Sequence, residues 1–298
     1  HSVMIWKGKR MRSILSSGYL KQKKPGAETR TKRYFITRLH EKHLPKIMAL
    51  QQVIVEHLGE PDLFHSFSYD FMKQHLERKG IVLGVFVNDR LAAFRNLYYP
   101  DPWDRQWNLG IDMGLAGAQL RHVVNLQMVC VHPHFRGNAL ALKMNTIALE
   151  LLREKGTHHH VCATVSPYNI WNIPVLLASG FHIAGLGKKY GDKIRYVVYQ
   201  DLREAQSFDD STSIRVRLQD LYTQKKLLEA GFRGRALHQR KSPSRKRSID
   251  GLDLVFTYPV PVDLVNRPVR TRMPGWYGGW GRNTPGYPIR FYYSVLQK

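Results

Sequence analysis

The chain has 298 residues, carries 46 Lys and Arg against 23 Asp and Glu for a net charge of +23, and is 43% hydrophobic. That apolar content excludes a wholly disordered chain, and no apolar run reaches the roughly 20 residues that cross a bilayer as a helix. The two cysteines, Cys130 and Cys162, both lie in apolar runs. They exclude a disulfide framework and point to a reducing, cytoplasmic compartment.

In chain order, residues 1–33 hold ten Lys and Arg and one acid. They read as a basic N-terminal arm, and lack the continuous apolar core of a secretory signal. Residues 34–39 read as a strand. A helix follows over 41–58, with Leu44, Ile47, Met48, Val55 and Leu58 near one face and Pro45 confined to the first turn. A second helix fits 68–79, stopped by Gly80. Residues 81–87 and 91–99 form a hairpin about Asn88-Asp89. The segment 100–120, rich in Pro, Asp, Trp and Gly, is a long loop and a candidate wall for a substrate.

Strict alternation along 122–131 places Val124, Leu126, Met128 and Cys130 on one face of a strand. Asn125, Gln127, Val129 and Val131 fall on the other. An amphipathic helix follows over 138–155, then a strand at 159–165, a helix at 170–179, and strands at 181–186 and 194–202. This order predicts an α/β fold over 34–202 built on a mixed sheet. Residues 203–298 read as a C-terminal extension: a helix at 214–230, a basic loop within 233–247, extended segments at 252–260 and 289–296, and turns at 274–288. No internal repeat is evident.

The segment Val129–Ala141 carries the chemistry. It runs from a strand through a turn containing Pro133 and Gly137 into a helix. A turn of small residues at a helix N-terminus presents unpaired N–H groups to an anion, and Gly137, Ala139 and Ala141 leave room for a pyrophosphate. The spacing fits neither a P-loop nor a dinucleotide fingerprint.

Here the chain resembles the GCN5-related N-acetyltransferase family. That family's motif A is a strand ending in Val-x-Pro followed by Arg/Gln-x-x-Gly-x-Gly/Ala, and this chain has Val131-His132-Pro133 and then Arg136-Gly137-Asn138-Ala139-Leu140-Ala141. Motif B matches at Asn169 and Gly180-Phe181. The resemblance implies a mostly antiparallel sheet with splayed central strands flanked by helices, as in acyl-CoA N-acyltransferases, and acetyl-CoA as cosubstrate with no metal. It implies that backbone at Val129 and Val131 pairs with the pantetheine arm, that residues Arg136, Gly137, Asn138, Ala139, Leu140 and Ala141 hold the pyrophosphate, and that Asn169 contacts the arm. Three positions depart from the pattern. Ala139 replaces a glycine, Leu176 stands where a tyrosine acid is usual, and Asn125 stands where some members carry a carboxylate.

Asn125, Gln127, Tyr168 and Tyr190 are therefore the candidates for moving protons. Arg95, Tyr98, Tyr99, Trp103 and Trp107 either frame an acceptor pocket or pack as core and loop. His132 and His134 are expected in the turn beside the phosphates. His158–His160 lacks Cys or carboxylate at ligand spacing, so no metal site is expected. The C-terminal Trp276, Tyr277, Trp280 and Arg282 either stack on bases or pack over the domain. The expected function is acetyl transfer to an unidentified amine. The alternative is a nucleic-acid-associated protein with an idle cofactor domain, its basic arms binding a polyanion. A homodimer is compatible with either.

Overall fold

Among the residues described by the computed structural model (14–24, 27–58, 63–240 and 248–260), eleven strands join in one sheet. Of the basic loop expected within 233–247, Arg233–Gln239 instead form a strand, and 241–247 fall outside these residues, as do the turns at 274–288, the segment 289–296 and the C-terminal aromatics. Strands β1 (Ile14–Lys24), β2 (Ala27–Arg38), β3 (Gly80–Val87), β4 (Arg90–Tyr98) and β5 (Val123–Val131) follow one another antiparallel. Then come β6 (His160–Val165), β8 (Lys193–Asp201), β7 (His182–Lys189), β10 (Arg233–Gln239), β11 (Leu252–Pro259) and β9 (Phe208–Arg217). The β5–β6 pair alone is parallel. The sheet is mixed and mostly antiparallel, as expected.

Helices cover both faces. On one, α1 (Leu44–Glu56) buries Leu44, Ile47, Leu50 and Ile54 at helical spacing, and α2 (Tyr69–Gln74) adds Met72. Val55, expected on that face, is exposed. On the other face, α3 (Leu140–Lys155) buries Leu140, Met144, Ala148 and Leu152 against β4 and β5, and Gly156 ends it in a left-handed turn. Each such buried leucine contributes about 1.5–3 kcal/mol. The same face carries α4 (Ile173–Ala178) and α5 (Leu221–Glu229).

Three expectations are corrected. Of the basic arm expected over 1–33, residues 1–13 and 25–26 lie outside the described residues, and 14–24 and 27–33 are not a free arm, because they form most of the β1–β2 hairpin. Leu20, Tyr34 and Ile36 point into the core beside α3, while Lys21, Lys23, Arg30 and Arg33 are exposed and Lys32 is half-buried. The many charged residues disguised a period-2 pattern. The helix expected from 214 begins only at Leu221. Ile214 and Val216 alternate with Arg215 and Arg217 as the end of β9, and the Asp220 carboxylate caps the helix by accepting from the Thr223 N–H at 3.0 Å.

The third correction concerns repetition. The unit β6-α4-β7-β8 has sheet order β6-β8-β7, and β9-α5-β10-β11 has the mirror-matched order β9-β11-β10. Leu176-Leu177-x-x-Gly180-Phe181 corresponds to Leu227-Leu228-x-x-Gly231-Phe232 at one constant offset. In both, the Phe N–H closes the helix onto the first Leu carbonyl, at 3.2 and 2.9 Å. Asn169 caps its turn as Asp220 does. The two units meet at one antiparallel residue pair, Ile183 with Gly234, which are themselves counterparts at that offset. A local pseudo-twofold therefore passes between β7 and β10, as in an isologous dimer interface.

Candidate functional site

The site begins where β5 and β6 part. They pair only at Val123–Asn125 with His160–Cys162. Beyond that point β5 has β4 on one side and a cleft of about 860 Å³ on the other. Alternate backbone N–H and C=O groups of β5 thus face the cleft. The β4–β5 register slips between Asn96 opposite Met128 and Leu97 opposite Leu126, so Gln127 is the extra residue of a β-bulge.

The bulge corrects the expected strand faces. Val124 and Leu126 lie in the core beneath α3, whereas Met128 and Cys130 lie in the core beneath α1. One inserted residue swaps the faces of everything beyond it. It also separates Asn125 from Gln127. Asn125 is buried outside the cleft, where its side-chain N–H donates to the Trp107 carbonyl at 2.5 Å. Gln127 lines the cleft, and its amide has no hydrogen-bond partner of good geometry.

The turn before α3 forms one end of the cleft. Gly137 sits at φ 80° and Ala139 at φ 54°, both left-handed, so the chain enters the helix through a tight reversal. No side chain caps α3, which leaves its first N–H groups to water or an anion. Val129, Val131, Arg136, Gly137, Ala139, Leu140, Ala141 and Asn169 all line the cleft. Asn138 does not. Its side-chain oxygen accepts from the Lys21 N–H at 2.7 Å, and its nitrogen donates to the Lys21 and Phe135 carbonyls at 2.8 and 2.9 Å. The Asn169 oxygen accepts from the Asn172 N–H at 3.0 Å.

Arg95 forms part of the floor. It is 2% exposed, donates to Asn145 and leaves Nε without a partner. Burial pulls its pKa down to about 9, so it remains a cation. Asn145 passes the contact to the Ser179 hydroxyl at 2.8 Å, tying α3 to the end of α4. Leu176, in the position of the missing tyrosine, is buried on the cleft wall.

The opposite end is aromatic. Tyr190, in the β7–β8 turn at φ 54°, places its hydroxyl 3.0 Å from the Thr164 Oγ1 on β6. The His65 ring stacks on it at 5.1 Å, and Trp107 packs at 5.5 Å. The Lys189–Asp112 ion pair, at 2.6 Å, ties down the strand leading into the turn. Burial raises the Tyr190 phenol, which stays protonated. Burial first, then Lys193 and Arg195, lower the His65 imidazole, which is neutral at pH 7. A neutral base and a protonated phenol therefore sit side by side at the mouth of the cleft.

Other candidates lie elsewhere. Tyr168 is half exposed and outside the cleft. Tyr98 packs on Phe71 and His75, Tyr99 stacks on His158, and Trp103 is exposed. Of the aromatics proposed as an acceptor frame, Trp107 touches the site from behind, packing on Phe67 and Tyr190 without lining the cleft. His132 faces away from the phosphate turn, with Nε2 2.6 Å from the Arg90 guanidinium; burial and then Arg90 lower its pKa to about 4. Burial raises the Cys162 and Cys130 thiols, so both are inert. Among the described residues, no group of three His, Cys, Asp or Glu is placed to hold a metal. None of their helices is long and apolar enough to cross a membrane. Sequence reasoning missed His65, Phe67 and Thr164. The first two sit on a loop without periodicity, and Thr164 is one ordinary strand residue.

No protein-family model matches the chain, and no curated protein is similar to it in sequence. Solved structures align with just over half of the chain. A GNAT-family acetyltransferase from Streptococcus pneumoniae is 15% identical, with TM-score 0.45, over 56% of this chain and 98% of that one. A putative acetyltransferase from Salmonella typhimurium, solved with its cofactor acetyl-CoA, is 16% identical with TM-score 0.43 over 57% and 94%. A ribosomal-protein-alanine N-acetyltransferase from Brucella melitensis is 18% identical with TM-score 0.44 over 56% and 98%.

Proposed function

We propose that this chain has a GCN5-related N-acetyltransferase fold, binds acetyl-CoA in the β5–β6 cleft and transfers the acetyl group to an amine. The observation that carries this reading is one continuous cleft joining three features: splayed strand edges, a left-handed turn of small residues at an uncapped helix, and a neutral His–Tyr pair. The residues fit the cofactor. Gly137, Ala139 and Ala141 leave the backbone accessible to phosphates, and the free edge of β5 offers N–H and C=O groups to an amide-bearing arm. The orphaned Arg95 Nε adds a buried donor beneath it.

Acetyl-CoA supplies an acetyl group already activated as a thioester. The chain supplies position and proton handling. His65, held neutral, takes a proton from the incoming ammonium or from the amine as it attacks. Tyr190, held protonated and oriented by Thr164, donates toward the oxygen or sulfur that gains charge. Gln127, swung into the cleft by the bulge, offers both an N–H and a C=O beside them. Phe67 and Trp107 shield this end from water, which favours aminolysis over hydrolysis. Asn125 and Tyr168 have no part in this scheme.

The test is calorimetric titration with acetyl-CoA, with a short DNA duplex as control. Saturable, near one-to-one binding that survives added salt supports the reading, and an amine screen follows. No heat with acetyl-CoA, with salt-sensitive binding to DNA, overturns it in favour of a polyanion-binding role.

A further inference from the structure

We propose that the β1–β2 hairpin is a wall of the cofactor cleft and that Lys23 clamps a phosphate of bound acetyl-CoA, with Asn138 as the residue that positions it. The inference rests on the acetyl-CoA reading and adds a binding residue from outside the acetyltransferase motifs.

Strand β1 is an edge strand, paired with β2 alone. At Lys21 its outward N–H and C=O would otherwise face solvent. The Asn138 side chain takes both, at 2.7 and 2.8 Å, in the manner of a neighbouring strand. Two residues further along, where the β1–β2 register shifts between Gln22 and Lys24, Lys23 reaches over the phosphate turn. Its Nζ lies 3.6 Å from where a Cβ on Gly137 would be, and it lines the same cleft as Gly137, Ala139 and Arg136. Among the described residues, no carboxylate lies within ion-pair distance of Lys23. Buried Leu20 anchors the hairpin between these contacts and the core. Asn138 is thereby turned from the ligand, where motif position alone would put it, to the task of holding a lysine there. A cation fixed over a turn of free N–H groups is placed for a phosphate oxygen.

The test is calorimetric titration of the wild-type chain, Lys23→Ala, Lys23→Arg, Asn138→Ala and the double variant Lys23→Ala/Asn138→Ala with acetyl-CoA at low salt. Lys23 is exposed, so its replacement leaves the fold intact. Lys23→Ala is expected to weaken binding about tenfold, the scale of one charge-assisted contact, and Lys23→Arg to restore most of it. Asn138→Ala is expected to weaken binding comparably, with the double variant no worse than Lys23→Ala, because both act through one ammonium. Repeating the pair with dephospho-CoA separates the sources. A persisting loss assigns Lys23 to the pyrophosphate, and a vanishing one to the 3′-phosphate. Lys23→Ala binding within twofold of a wild-type chain that binds well overturns the clamp alone. Additive losses overturn the role of Asn138. A wild-type chain that does not bind removes the cofactor reading itself.

Discussion

Ala139→Gly is expected to stabilise this protein, against the usual rule that glycine weakens a helix. Ala139 is the residue before the first turn of α3 and sits at φ 54°, ψ 25°, with no side-chain capping bond. An L-residue with a Cβ in that conformation costs about 1–2 kcal/mol, which glycine avoids. Against this, glycine raises the entropy of the unfolded chain, a loss of about 0.4–1 kcal/mol. Glycine is also a better residue than alanine at the N-cap. The net expectation is a gain of about 0.5–1 kcal/mol and a rise in Tm of about 1–3 °C for a chain of this size. Urea denaturation followed by circular dichroism measures the first, and scanning calorimetry the second. Ala139→Val, which keeps the Cβ and adds branching, is expected to be less stable than wild type. A loss of 0.5 kcal/mol or more in Ala139→Gly would refute the left-handed assignment and return Ala139 to an ordinary helical turn.

Tyr190→Phe removes the hydroxyl bonded to Thr164. With an amine found by screening it should lower kcat about tenfold or more while acetyl-CoA affinity stays within twofold; unchanged kcat removes Tyr190 from the proton path. Gly234→Val places a methyl-bearing carbon 3.1 Å from the Ile183 Cβ at the junction of the two half-sheets. Overpacking there should cost about 1–3 kcal/mol, read by denaturation, and protease resistance of β9–β11 equal to wild type would contradict it. His75 and His182 are buried, and burial above all pushes their pKa values from 6.5 to about 4 and about 3. The folded state thus resists protonation that the unfolded state accepts. Stability is full above about pH 6.5 and falls as pH drops below it, by about 1.4 kcal/mol per histidine at pH 5.5. Equal urea midpoints at pH 7.5 and 5.5 would show that these rings are accessible.

Much of the region from Tyr34 to Leu202 was legible in the sequence because its apolar residues repeat cleanly. Leu44, Ile47 and Leu50 mark a helix, and Leu140, Met144 and Ala148 mark another. The phosphate turn was legible too, since Gly137 and its small neighbours form a local signal. β1 and the first half of β2 were not, because lysines and arginines dominate their composition and Leu20 alone among their described side chains is fully buried. The second half-repeat escaped notice because Leu-Leu-x-x-Gly-Phe is short and the strands around it share topology more than residues. The bulge at Gln127 leaves no mark in an alternating pattern, yet it decides which side chains face the cleft.

What the sequence determined by itself is whatever depends on neighbours along the chain: helix and strand periods, caps such as Asp220, and a left-handed turn at Gly137. What only the tertiary structure decided is whatever depends on residues far apart in sequence. His65, Thr164 and Tyr190 meet because a loop, a splayed strand and a strained hairpin turn converge at one end of a cleft. Lys21 and Asn138 meet because an edge strand leaves two backbone groups unpaired where a motif asparagine can satisfy them. Such contacts depend on closing long loops and on filling each polar group's hydrogen-bonding capacity, neither of which is written in local periodicity.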